Sequence, residues 1–270
     1  MNESEYILHI RSVQSSNIRT LFEVLKESLT EINIEVTKDH MRSISIDSHD
    51  KSLIYFILHA KNFEYYHFDH TEPSFLLGIN TQYAFKIANT IKNNDTVSLY
   101  VKKVSPREFC MQIENSDKNS KSIYSMQLYD LIFKTISIDD RKVDSEISLP
   151  STDFQKICRD YKKFGCETME IKSIGEQVIF SGEGEFSKQE TFIGESKITE
   201  IKSSDRDNIV QGVFSMEYLL LFSKATNLCA TVRIYLSNNY PIMFLYNVGS
   251  LGEIRFVIAE ERKEEEEEED

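Results

Sequence analysis

The sequence has no long apolar run, no paired-cysteine motif and no catalytic signature, and each absence removes a class of function. The longest strongly apolar stretch, YLLLF at 218–222, is far short of the roughly 20 residues that span a bilayer. The opening MNESEYILHI carries acids and no extended apolar segment, so no signal peptide is expected. Four cysteines stand at 110, 158, 166 and 229 with no C-x-x-C pair, which suits reduced intracellular thiols. Neither a G-x-x-x-x-G-K-[ST] phosphate loop nor an H-E-x-x-H zinc motif occurs. GEGEF at 182–186 has two glycines but no helix after it, a poor dinucleotide signal. In HFDH, His67 and His70 fall on opposite faces of a strand, so no metal site is expected there. Cys158 lies on an apolar helical face and reads as a core thiol. The expectation is a protein with no catalytic residues, no cofactor and no metal, and not an enzyme.

What is present is a chain of 270 residues, enough for one large or two ordinary domains. Its 40% apolar and 28% charged content is that of a globular protein able to build a sizeable core. The formal net charge is −13, and removing the seven acids of 264–270 brings it to −6. Half of the imbalance therefore sits in one tail, residues 261–270, whose composition is that of a solvated, disordered segment. An acidic balance argues against general adhesion to nucleic acid or anionic membrane. It leaves local patches open, and KICRDYKKFG at 156–165 is one: four bases against one acid.

Strand signals dominate. EYILHI is short and apolar; INIEVTKDHMRSISID reads as two strands about a turn at Lys38–His40; SLIYFILHA and EYYHFD follow. The same texture returns in TMEIKSIGEQVIFSGEGEF, in TVRIYLSNNYPIMFLYNV with a turn at Asn238–Pro241, and in EIRFVIAE. Four stretches have helical spacing. SSNIRTLFEVLKESL places Ile18, Leu21, Phe22 and Leu25 inward, with Ser15 or Ser16 as cap. NTQYAFKIANTIK places Tyr83, Ile87, Ala88 and Ile91 inward, with Asn80 or Thr81 as cap. STDFQKICRDYKKFG places Phe154, Ile157, Cys158 and Tyr161 inward, starts at Ser151 and stops at Gly165. SMEYLLLFSKAT is apolar over most of its surface.

The order of these elements repeats, so the chain reads as two similar halves: a first domain over 1–129, a connector over 130–147 and a second domain over 148–260. The outward helical faces repeat too. They carry Arg19, Glu23 and Lys26; Gln82, Lys86 and Asn89; Lys156, Arg159 or Asp160, and Lys163; Glu217 and Lys224. One such face is an ordinary solvated surface. Four in equivalent places suggest a shared purpose.

FSMEYLLLFSKATNLCATVRIYLSNNYPIMFLYNVGSLGEIRFVIAE, PSTDFQKICRDYKKFG and ISIDSHDKSLIYFILHAKNFEYYHFDH, the last with Asp47, Ser48, Phe63, Tyr66 and Asp69 in pattern, resemble the proliferating cell nuclear antigen family of DNA sliding clamps. LGIN at 77–80 matches the lead-in to that family's second helix, and the likeness runs to about Glu260, weakest over 100–122 and 185–210.

The resemblance implies an α+β clamp fold: two similar domains per subunit, antiparallel sheets outside, four helices inside, and three subunits closed into a ring-shaped homotrimer. It implies sequence-independent contact with double-stranded DNA through Arg19, Lys26, Lys86, Lys156, Arg159, Lys163 and Lys224, with Thr20, Asn89 and Glu217 where relatives carry further bases. It implies a pocket for partner peptides, from DNA polymerase and other clamp-binding proteins, at Ile46, Lys51, Ile136, Ile138, Pro241, Val257 and Ala259. Asp139 and Glu260 stand where relatives have proline, and Lys51 replaces an aliphatic residue, so peptide preference is expected to differ. Subunit contact is expected through edge strands SIYSMQLY and VIFSGEGEFSKQ, at Ile123, Tyr124, Ser181 and Glu183. An ATP-dependent loader, no membrane partner, and a nuclear or viral replication compartment complete what the likeness implies. The competing expectation is a clamp-derived, non-encircling scaffold that only binds peptides.

Overall fold

The computed structural model describes residues 3–47, 49–131, 143–204 and 207–261. Its contacts divide the chain into two units. The first is Met1–Asp139 with Asn227–Cys229 and Tyr246–Arg255, and the second is Asp140–Thr226 with Ala230–Leu245 and Phe256–Asp270.

Two series of elements follow one another with the same count. The first runs β1 (Tyr6–Ser12), α1 (Ser15–Ser28), β2 (Glu31–Val36), β3 (His40–Ile46), β4 (Ser52–His59), β5 (Tyr65–Phe68), β6 (Phe75–Asn80), α2 (Thr81–Ala88), β7 (Thr96–Lys102), β8 (Ser105–Asn115) and β9 (Ser120–Gln127). The second runs β10 (Ser145–Pro150), α3 (Ser151–Lys163), β11 (Thr168–Ile174), β12 (Gln177–Glu183), β13 (Lys188–Gly194), β14 (Glu200–Ser203), β15 (Val210–Ser215), α4 (Met216–Ser223), β16 (Thr231–Leu236), β17 (Ile242–Val248) and β18 (Gly252–Ile258). The strand orders repeat as well: β5-β1-β7-β8-β9 beside β14-β10-β16-β17-β18, and β4-β3-β2-β6 beside β13-β12-β11-β15. This is the duplication that the sequence pattern suggests.

Alternation builds the sheets. In β2 the even positions Ile32, Ile34 and Val36 are buried and the odd ones face out. In the second unit Phe154 of α3 is fully buried and stacks on Phe244 of β17, ring centroids 5.1 Å apart. Each such aromatic or aliphatic side chain contributes about 1.5–3 kcal/mol by leaving water. The predicted inward faces of α1 and α3 are buried as expected.

Four local expectations need correction. Ser15 and Ser151 do not cap: each is the first residue of its helix, after Gln14 and Pro150. Ser15 Oγ instead donates to the Lys92 carbonyl, 3.2 Å away. Asn80, by contrast, caps α2, its Oδ1 accepting from Tyr83 N at 3.1 Å. Tyr83 is 54% exposed and Ala84 takes its inward place, because α2 starts at Thr81 and that phase turns Ala84 and Ala88 to the core. The helix also ends early, at Ala88, where the Thr90 hydroxyl takes the Ile87 carbonyl at 2.8 Å. Finally, β12 is an inner strand: β11 and β13 pair on its two sides, and β13 holds the edge.

Candidate nucleic-acid interface

Helix α3 carries the densest cationic face. Its apolar stripe is sealed by Phe154, Ile157, Cys158 and Tyr161. The Tyr161 hydroxyl donates to the Phe180 carbonyl at 2.6 Å, which fixes the rotation of the helix about its axis. Burial pushes the Cys158 thiol far above its ordinary value, so it stays a neutral core group. With that side turned inward, Lys156, Arg159, Lys162 and Lys163 are all exposed. The helix stops in a left-handed glycine: Gly165 has φ +79°, its N–H bonds Lys162 O at 3.1 Å and Cys166 N–H bonds Tyr161 O at 3.2 Å.

Asp160 sits within this face. Lys156 Nζ lies 2.8 Å from its Oδ2 and Lys163 Nζ lies 3.4 Å from its Oδ1. The hydrogen bond from Lys156, reinforced by Lys163, holds the Asp160 carboxyl below the usual carboxylate range. Reciprocally, that bond pushes Lys156 up.

In each unit the two helices are clasped by a glutamine. Gln82 Nε2 of α2 donates to Lys26 O of α1 at 3.0 Å, and Gln155 Nε2 of α3 donates to Ser223 O of α4 at 3.0 Å. The first clasp sets Lys26 and Lys86 on neighbouring helices. Lys26 Nζ stands 4.4 Å from the Phe85 ring centre and 2.7 Å from Glu27 Oε1. Lys86 Nζ stands 5.0 Å from the Tyr83 ring centre, and Arg19 Nη1 donates to Ile91 O at 3.3 Å. The second clasp sets the α3 stripe beside the end of α4, where Lys224 opens a short 3-10 turn, Lys224–Asn227. Glu217 and Asn89 are exposed on the same outward faces, whereas Thr20 is 6% exposed and belongs to the core of its unit.

The predicted peptide-pocket residues divide between the units. Ile46, 38% exposed, ends β3, and exposed Lys51 follows a turn held by Asp47 Oδ1, which accepts from Lys51 N at 2.9 Å and Ser52 N at 2.8 Å. In the second unit Pro241 and Ala259 are exposed and Val257 half-buried. There a recess of about 320 Å³ is lined by Ile209, Gln211, Asn238, Asn239 and Glu260. Asn238 builds it, donating to Ile209 O at 2.9 Å and accepting from Gln211 N at 2.8 Å. Reading the sequence marks Asn238 as a turn but not as a lining residue; Ile209 and Gln211 leave no periodic signal because they enter the recess from β15 and its approach. Ile136 and Ile138 lie outside the described residues.

Of the predicted subunit-contact residues, Ile123, 53% exposed, and Tyr124 lie on β9, an edge strand. Ser181 and Glu183 lie on inner β12, opposite Glu190 and Lys188 of β13. Among the described residues no group of three or more His, Cys, Asp or Glu side chains could hold a metal, and no helix is long and apolar enough to cross a membrane.

Residues 7–139 match the family model for the N-terminal domain of proliferating cell nuclear antigen, and residues 137–261 match the model for its C-terminal domain. A protein of Paramecium bursaria Chlorella virus 1, named probable DNA polymerase sliding clamp 1, is 31% identical over 263 residues, covering 96% of this chain and 98% of its own. A probable DNA polymerase sliding clamp of Acanthamoeba polyphaga mimivirus is 28% identical over 217 residues, 79% of this chain but 46% of that longer protein.

Proposed function

The chain belongs to the proliferating cell nuclear antigen family, and from that membership we infer that it is a DNA sliding clamp, a processivity factor that holds a polymerase on duplex DNA. The observation that carries this reading to particular residues is the exposed cationic face of α3 on a helix locked by its buried stripe. Arg19, Lys26, Lys86, Lys156, Arg159, Lys163 and Lys224 are proposed to face the phosphates. Such contact needs positive charge at the right radius and no base readout. The Debye length near physiological salt is about 8 Å, so a protein charge farther than that from a phosphate is largely screened from it. Encirclement supplies retention, and the protein carries out no bond chemistry.

Ring closure is proposed through β9 of one subunit and β13 of the next. The duplication supports this choice. By position in the two series, β18 corresponds to β9 and β4 to β13. Within the first unit, Leu251 O accepts from His59 N at 2.9 Å, and Gly252 lies so close to β4 that a Cβ on it would stand 1.9 Å from Ile57 O. The corresponding outer sides of β9 and β13 are edges, seven to eight residues long, and an unpaired edge is a template for another strand. A homotrimer would satisfy all three pairs of edges at once. A closed ring then requires an ATP-driven loader to reach DNA without ends.

The partner pocket is proposed at Ile46, Lys51, Ile136, Ile138, Pro241, Val257 and Ala259. The site of action is proposed to be wherever DNA is replicated, nucleus or viral compartment. The test is charge reversal: Arg159→Glu with Lys163→Glu should weaken equilibrium binding to a linear duplex at low salt, with oligomeric mass unchanged. Undiminished binding would remove α3 from the DNA face. Exposed Glu217 and Asn89 favour a second reading, a non-encircling peptide scaffold, for which a stable monomer at micromolar concentration would speak.

A further inference from the structure

We propose that Asp160 is an internal stand-in for DNA phosphate, occupying Lys156 and Lys163 until the backbone arrives and thereby setting how loosely the clamp slides. The inference rests on the reading of α3 as a DNA face.

Its geometry is that of a carboxylate shared by two ammonium groups. Each oxygen takes one: Oδ2 the lysine four residues back, Oδ1 the lysine three residues on. The lysine side chains are 77% and 74% exposed, and Asp160 is 26% exposed beneath them. The cations thus stand outermost, where a phosphate oxygen can take the place of a carboxylate oxygen with the same charge and donor. Exposed pairs of this kind contribute little to folding stability, so a structural role is a weak reason for their presence. Their electrostatic effect is larger. Lys156, Arg159 and Lys163 sum to +3, and Asp160 lowers the stripe to +2.

Binding to DNA is driven by release of condensed counterions, one for each phosphate that the protein neutralises. A counterion tethered to the protein, as Asp160 is, cancels a protein charge without being released into bulk. It lowers both the attraction and its dependence on salt. It also offers each lysine a nearby partner between successive phosphates, which smooths the path of a ring moving along the duplex.

Asp160→Asn keeps the side-chain volume and removes the charge. Binding to a linear duplex, measured between about 50 and 300 mM salt, should then show a log–log slope steeper by about 1 per subunit, and single-molecule diffusion along DNA should slow by roughly three- to tenfold. Asp160→Glu should restore the parent slope; melting temperature and oligomeric mass should not move. Should the asparagine variant fold poorly, Asp160→Ser carries the same expectation. The parent slope and diffusion in Asp160→Asn, alongside weakened binding in the Lys156→Gln, Lys163→Gln double variant, would overturn the damping role and leave the DNA face standing. Unweakened binding in the double variant would overturn the DNA face itself, and the damping role with it.

Discussion

Tyr161 anchors helix α3 through one atom. Its ring is fully buried, and its hydroxyl reaches the Phe180 carbonyl of β12. Tyr161→Phe keeps the ring and removes the bond, and should cost about 1 kcal/mol in urea denaturation. Tyr161→Ala also leaves a cavity, and should cost about 3–5 kcal/mol. His9 gives a pH signature. It is 7% exposed, stacked on Tyr6 at 4.7 Å and edge-on to Tyr65 at 5.1 Å. Burial first, then the His67 and Arg11 charges, lowers its folded pKa below the ordinary 6.5. The unfolded chain therefore binds the proton more readily. The resulting stability is present above pH 6.5 and is lost as pH falls through the folded pKa. Thermal melting followed from about pH 7.5 to 5 should fall less steeply in His9→Gln. His40, shifted the same way chiefly by burial, should sustain part of the slope.

At the scale of elements, Asn80→Ala should lower stability by about 1 kcal/mol, measured by denaturant midpoint, since it strips the cap from α2. That cap is legible because Asn80 ends a strand and starts a helix with its side chain free to turn back. Ser15 and Ser151 look equally suitable in the sequence. Yet both are buried at junctions where the preceding residue takes the cap position, and burial of that kind is set by distant packing. The same limit explains β12. Its alternation and that of β13 are alike, and nothing in a local period tells an inner strand from an edge; only pairing across the hairpin does. The cationic stripe of α3 is readable, because positions 156, 159 and 163 follow the helical repeat. The Asn238 recess is not, since its walls come from stretches far apart in the chain.

For the whole molecule, mass is the decisive quantity. Light scattering should give about three times 31.4 kDa. Ile123→Asp, placing a charge on the exposed edge of β9, should shift that mass toward the monomer without unfolding the chain. The repeated order of helices and strands was legible from hydrophobic period alone, and the family likeness extended it to a clamp. Closure into the proposed ring would be a property of edges, and edges emerge only when all strands are paired.

The two glutamine clasps run in opposite directions along the chain. In one half the later helix gives the proton to the earlier; in the other the earlier gives it to the later. The two halves therefore share a fastening of one kind with its giver and receiver exchanged. A tandem of two first halves would keep its own fastenings. A hybrid joining α1 to α4 would bring two receivers together, and one joining α2 to α3 two givers, so neither mismatched pair would close.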